Sequence, residues 1–140
     1  MNRAIKFATS MTATIAAVLV VAAGMPRWVG EACAASSPPP PISFSEDVQP
    51  LLQFRCGSCH TPGGEGYAKS GFEVSSYESV MKGTKFGQVI IPGNPDESSL
   101  MRLLDWRVSA EIQMPHGKKQ LSICDRDLIR TWIFKGAKNN

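Results

Sequence analysis

The sequence predicts an all-α fold, one small single domain of short helices joined by long loops. Three observations carry this. Apolar residues recur at helical spacing in several brief runs, among them Phe44, Val48, Leu51 and Leu52, and later Leu128, Ile129, Trp132 and Ile133. Between the runs, 12 glycines and 10 prolines supply breaks. No stretch alternates apolar and polar residues over the length of a strand, and no internal repeat is visible.

The first 34 residues read as a secretory leader. Arg3 and Lys6 form a positive start, Thr9 to Ala23 is apolar and rich in small residues, and Ala32-Cys33-Ala34 supplies a cleavage site before Ala35. Two alternatives stand beside it. The 19 uncharged residues from Phe7 to Met25 are long enough to remain as a membrane anchor, and Cys33 is a candidate for lipidation, although Glu31 does not suit such a signal. Residues 35–43 contain Ser36-Ser37-Pro38-Pro39-Pro40-Pro41, an extended spacer by composition, so the folded domain is expected over 44–138.

Ser45 is the expected N-cap of the first helix, with Glu46 and Asp47 in its first turn. Pro50 must lie near the start, so that helix is brief or bent. Thr61-Pro62-Gly63-Gly64-Glu65-Gly66 forms turns, and Ser70-Gly71 extends the irregular stretch up to one or two helical turns at Ser76 to Met81. Asn94-Pro95 reads as an N-cap and first helical residue, ahead of Leu100, Leu103 and Leu104 on one face. Ser122-x-x-Asp125 resembles a capping box that opens the last helix, and Gly136 closes it.

Cys56-Gly57-Ser58-Cys59-His60 is the run that carries chemistry. Cys-x-x-Cys-His is the sequence at which a c-type haem is attached. Its two thiols can each form a thioether to one vinyl group of a single haem, and the adjacent imidazole then faces the iron. Cys56 and Cys59 are therefore the expected tethers of one covalent haem c, and His60 the proximal ligand, with Nε2 toward iron and Nδ1–H held by a backbone carbonyl. A zinc site is the first alternative. It needs four ligands, and no second Cys-x-x-Cys or spaced histidine pair follows. A thioredoxin-like dithiol is the second, and the βαβ frame it requires is not visible. Thioether formation takes place outside the cytoplasm, which agrees with the leader and places the protein in the periplasm.

Four side chains compete for the distal position. Met114 lies in Glu111-Ile112-Gln113-Met114-Pro115-His116-Gly117, a Pro- and Gly-bearing loop able to reach across a haem face, and is favoured. His116 shares that loop, while Met81 and Met101 fall in helical runs where core packing explains them.

The ordered motifs resemble those of bacterial class I c-type cytochromes, specifically the short planctomycete-type cytochrome c domain. They are Phe44-x-x-Asp47-Val48-x-Pro50-Leu51-Leu52, Cys56-x-x-Cys59-His60, Ile91-Pro92-Gly93-x-Pro95-x-x-Ser98-x-Leu100, Met114-Pro115-x-Gly117, Leu121-Ser122 and Trp132-Ile133-x-x-Gly136-Ala137. The resemblance implies a small helical cytochrome c fold wrapping one haem, with His60 proximal and Met114 distal. Cys124 departs from the pattern and reads as a spare thiol.

The expected function is that of an electron carrier, exchanging single electrons with redox-protein donors and acceptors and breaking no substrate bond. Alternatives are the haem subunit of a periplasmic dehydrogenase, a small peroxidase, or a ligand-binding sensor, the last two requiring an open sixth site. Removing residues 1–34 takes away three cations and one anion, so the formal charge of +3 falls to +1; two propionates carry it to about −1, and charge points to no nucleic-acid partner. A membrane is a partner only if the leader is retained. Lys118 and Lys119 are candidates to steer an acidic partner, or a solvated loop. Tyr67 and Trp106 are candidates for propionate hydrogen bonds, or half-buried packing.

Overall fold

The computed structural model describes residues 41–140. The expected leader and most of the linker lie outside the described residues. Those described are helical, with no strand among them and a single bridge between Thr84 and Gly87. None of their helices is long and apolar enough to cross a membrane.

The first element begins earlier than its sequence suggests. One π-helical turn, Phe44–Val48, runs directly into α1, Gln49–Cys56. The N-cap is Ser43, not Ser45: Ser43 Oγ accepts from Glu46 N–H at 3.2 Å, and Ser43 N–H donates to the Asp47 carboxylate at 2.8 Å. Starting there brings Phe44 inside the helical spacing that also buries Val48 and Leu52. Ser45 serves another contact, since its N–H and hydroxyl both donate to the Asn140 carbonyl, at 3.0 and 2.9 Å. Pro50 falls in the first turn of α1, immediately after the π-helical turn. The wider bonds just ahead, Val48 N–H to Ser43 O at 3.2 Å and Gln49 N–H to Phe44 O, carry the backbone past its ring.

The stretch expected to be irregular contains α2, Glu65–Ser70, closed by Gly71 at φ +72°. Glycines at 64 and 66 concealed it, because they read as breakers when only local propensity is considered. Next come α3, Tyr77–Lys82, with a Ser76–Ser79 capping box, and α4, Ser99–Leu104. Asn94 does not cap α4. It caps a separate turn through Oδ1 to Glu97 N–H at 3.3 Å, and the helix starts after Ser98. A 3-10 turn, Ala110–Ile112, precedes α5, Ile123–Phe134. Ser122 caps α5 by accepting from Asp125 N–H, but the Asp125 carboxylate pairs with Arg55 at 2.9 Å and does not complete the box. Cys124, expected to be a spare thiol, is disulfide-bonded, whereas Cys56 and Cys59 are free.

The core forms where the entry turn, α4 and α5 meet. Phe44, 1% exposed, lies 5.3 Å from the Trp132 ring and edge-on to Tyr77 at 5.1 Å. Each such aromatic contributes about 1.5–3 kcal/mol by leaving water. The polar handles are satisfied: Tyr77 OH donates to Ala137 O at 2.8 Å and Trp132 Nε1 to Lys138 O at 2.9 Å. At the far end of α4, Asp105 receives Arg126 at 2.9 Å and also Arg130, both from α5, while Arg130 reaches Asp96 at 3.1 Å. This cluster fixes the end of α4 against α5.

Ser98 is the only fully buried polar residue among those described. Its hydroxyl accepts from Ile91 N–H at 2.9 Å and contacts Asn94 O at 2.8 Å, joining the Pro-rich turn to α4. Ser98→Ala leaves a buried N–H unsatisfied and is expected to cost about 1–3 kcal/mol in denaturant unfolding of the holoprotein. Ser75→Ala, at an exposed position, is expected to change stability by less than about 0.5 kcal/mol; equal effects of the two substitutions would remove this role from Ser98.

Candidate functional site

Cys56 is the last residue of α1, and the chain then folds back on itself at once. Cys59 N–H and His60 N–H both donate to the Cys56 carbonyl, at 3.0 and 2.9 Å, and Thr61 Oγ1 donates to Gly57 O at 2.9 Å. The helix end thereby places both thiols and the imidazole on one cavity of about 370 Å³, within the range of pockets that hold cofactors.

The His60 ring is fixed from several sides. Its Nδ1 lies 3.3 Å from the Phe72 carbonyl oxygen. A carbonyl only accepts, so Nδ1 carries the proton and the Nε2 lone pair is left free. The carbonyl partner expected from sequence is therefore present. Phe72 also sets its ring edge-on to the imidazole at 5.4 Å. Burial lowers the His60 pKa, only partly offset by the Phe72 hydrogen bond, so the imidazole is neutral at pH 7 and able to donate to a metal. Gly66 of α2 packs against the same ring: a Cβ there would stand 2.8 Å from Cε1 and 2.9 Å from Nε2. This close approach requires a glycine inside a helix that sequence propensity disfavours.

Burial, reinforced by nearby Cys59, pushes the Cys56 thiol up from 9.0 to about 11, against smaller opposing effects of Lys118 and Arg55. A redox dithiol or zinc ligand needs a ready thiolate, with a lowered pKa. Cys56 has the opposite environment, and no group of three or more His, Cys, Asp or Glu side chains able to hold a metal ion occurs among the described residues.

The rest of the cavity comes from the end of α4 and the loop after it. Leu104, Ile112, Met114, Pro115 and His116 line it, with Phe86 from the loop after α3. Of the four distal candidates, the structure brings Met114 and His116 to the cavity. Met101 is fully buried in the core and Met81 packs against it, so neither lines the cavity. Met114 is half-buried and His116 exposed. Phe86 is 80% exposed and Ile112 51%, an apolar lining that a large apolar group would cover. Arg55, Lys69 and Lys118 bring cations to the same space, and Glu65 and Glu111 bring anions.

Several residues here escaped sequence reasoning. Phe72, Gly66 and Phe86 act through contacts that no local pattern encodes. Neither Tyr67 nor Trp106 lines the cavity, and the Trp106 indole N–H donates to the Met114 carbonyl at 2.9 Å. The residues of α5 do not line the cavity; that helix packs on the entry turn and α4.

Two free thiols, an imidazole with a fixed proton and a free Nε2, a methionine and an apolar lining fit a covalently attached haem. Residues 56–116 match the family model described as Planctomycete cytochrome C, a span that starts at the first thiol and includes Met114. No curated protein and no solved structure matches the chain. The matched family implies covalently bound haem c.

Gly66→Ala is expected to displace the His60 ring or lift α2, reducing the yield of holoprotein and disturbing its absorption spectrum. Ala68→Ser, on the exposed side of the same helix, is expected to leave both unchanged. A normal spectrum for Gly66→Ala would show that the imidazole is not held in this slot.

Proposed function

The chain carries a planctomycete-type cytochrome c domain, and from that premise we propose that it is an exported mono-haem cytochrome that passes single electrons between periplasmic redox proteins. The convergence of Cys56, Cys59, His60 and Met114 on one cavity is the observation that supports this reading. The haem supplies a one-electron ferric/ferrous couple, whose potential depends on its ligands and burial. Cys56 and Cys59 hold it covalently. His60 offers Nε2, kept in that tautomer by the Phe72 carbonyl. Met114 offers a thioether, a ligand type that favours the ferrous state and raises the potential.

Leu104, Ile112 and Phe86 give the cavity an apolar wall, while its open side leaves an edge for electron exchange. Arg55 and Lys69 are already paired, with Asp125 and Glu65. Lys118 makes no ion pair among the described residues, and with Lys119 it supplies positive charge for propionates or an acidic partner. One observation favours another reading: His116 reaches the same cavity. Were Met114 displaced, His116 would stand as an acid–base group or ligand, as a peroxidase or sensor requires. Met114 is half-buried and held by the loop whereas His116 is exposed, and this supports the carrier.

The ferric protein, matured with the haem-attachment machinery, is expected to show the weak far-red band of methionine sulfur on iron. Met114→Ala is expected to abolish it and lower the potential; an unchanged spectrum and potential would assign the ligand elsewhere. Cys56→Ser and Cys59→Ser are each expected to leave at most one thioether, read by mass spectrometry of the haem peptide. His60→Ala is expected to prevent a stable low-spin haem. Two thioethers in either cysteine variant would contradict the assignment.

A further inference from the structure

We propose that Trp106 is the positioning residue for Met114, clamping the distal loop to the end of α4 so that its thioether resists displacement. The inference rests on the reading of Met114 as distal ligand and goes beyond it, because it names what holds that ligand in place.

Both backbone polar groups of Met114 are bound to residues at and just past the end of α4. Its N–H donates to Leu103 O at 3.2 Å, and its carbonyl accepts from Trp106 Nε1–H at 2.9 Å. The same segment holds the far end of the loop, where Gln120 Nε2 donates to Leu104 O at 3.0 Å. The Met114 backbone cannot move away from the cavity without breaking bonds to Leu103 and Trp106 together.

The indole reaches Met114 because Trp106 sits at φ +58°, a left-handed conformation that a bulky residue rarely adopts. Such a conformation persists only where its surroundings over-determine it. Here they do. Asp105 N–H donates to Met101 O at 2.8 Å, Trp106 N–H to Leu103 O at 3.3 Å and Arg107 N–H to Arg102 O at 2.9 Å, bracketing the turn on both sides. The Asp105 carboxylate is gripped by Arg126 and Arg130 of α5. The clamp is therefore anchored in the core helix, and the indole transmits that rigidity to the loop.

The consequence is read with imidazole as the probe, because an external ligand binds only when the loop releases the methionine. Apparent affinity then scales with the fraction of open loop. In the ferric holoprotein, Trp106→Phe keeps the ring and removes the donor. It is expected to bind imidazole roughly tenfold more tightly, the equivalent of one lost hydrogen bond, and to weaken the far-red methionine band. Tyr77→Phe, which breaks a core hydrogen bond to Ala137, is expected to lower stability without changing imidazole affinity. Imidazole affinity for Trp106→Phe within about twofold of wild type, with the far-red band intact, overturns the proposal.

If Trp106→Phe does not accumulate, the unmodified protein supplies the test. NMR hydrogen exchange is expected to show a protected Trp106 indole proton that loses protection in the imidazole adduct. Protection retained in the adduct overturns the proposal as well. If instead the wild type lacks the far-red band and Met114→Ala leaves imidazole affinity unchanged, Met114 is not the ligand. That outcome overturns the functional reading along with this one, whereas the two preceding outcomes overturn only the clamp.

Discussion

The hydrogen bond from His60 Nδ1–H to the Phe72 carbonyl orients the whole site. It selects the tautomer, frees Nε2 and turns the ring toward the cavity in one contact. Much of the neighbouring chain is arranged to make it possible. His60 N–H folds back on the end of α1, Val74 N–H donates to the His60 carbonyl at 3.0 Å, and α2 comes close enough that only a glycine fits beside the ring. The backbone thus passes the imidazole twice, once through α2 and once through residues 72–74. A side-chain acceptor would have left the ring free to tilt. A main-chain carbonyl at a fixed place does not.

The other contributors to the cavity are organised on a different principle. Near His60, close backbone packing gives rigidity; near Met114, a loop whose regular structure is one 3-10 turn borrows it from α4 and α5. The Arg126 and Arg130 pairs to Asp105 have limited value as surface ion pairs taken one at a time. Their importance here is geometric, since they fix the end of α4 from which the loop is held. The entry turn, through Phe44 and Trp132, keeps α5 in position on its other side. The site is therefore a boundary between a packed helical core and a cavity that the chain does not fill with its own side chains.

What could be read from sequence follows from how far each signal reaches along the chain. Cys56-x-x-Cys59-His60 could be singled out because the c-type haem motif has a fixed local spacing, and the three residues line one cavity. Met114 stood out because Pro115 and Gly117 mark a loop, whereas Met81 and Met101 sit at helical spacing, and the structure keeps those two out of the cavity. Helix α2 was hidden because Gly66 answers to a ring six residues back, a demand of packing and not of propensity. The first N-cap was misplaced by two residues because Ser45 is engaged by Asn140, nearly a hundred positions away. The Trp106 contact to Met114 depends on a left-handed turn that no local pattern announces.

The half-buried Cys56 thiol differs from its exposed neighbour Cys59 in how freely it meets solvent. In the closed fold it is held at about 11 and sits among residues packed on the core. At neutral pH that environment favours the thiol over the thiolate, although the sulfur still lines the open cavity. In an extended chain the same thiol lies nearer 9.0 and is open to solvent. Folding therefore makes Cys56 a weaker nucleophile than the same residue in an open chain, a cost that the spacing of the two cysteines does not reveal.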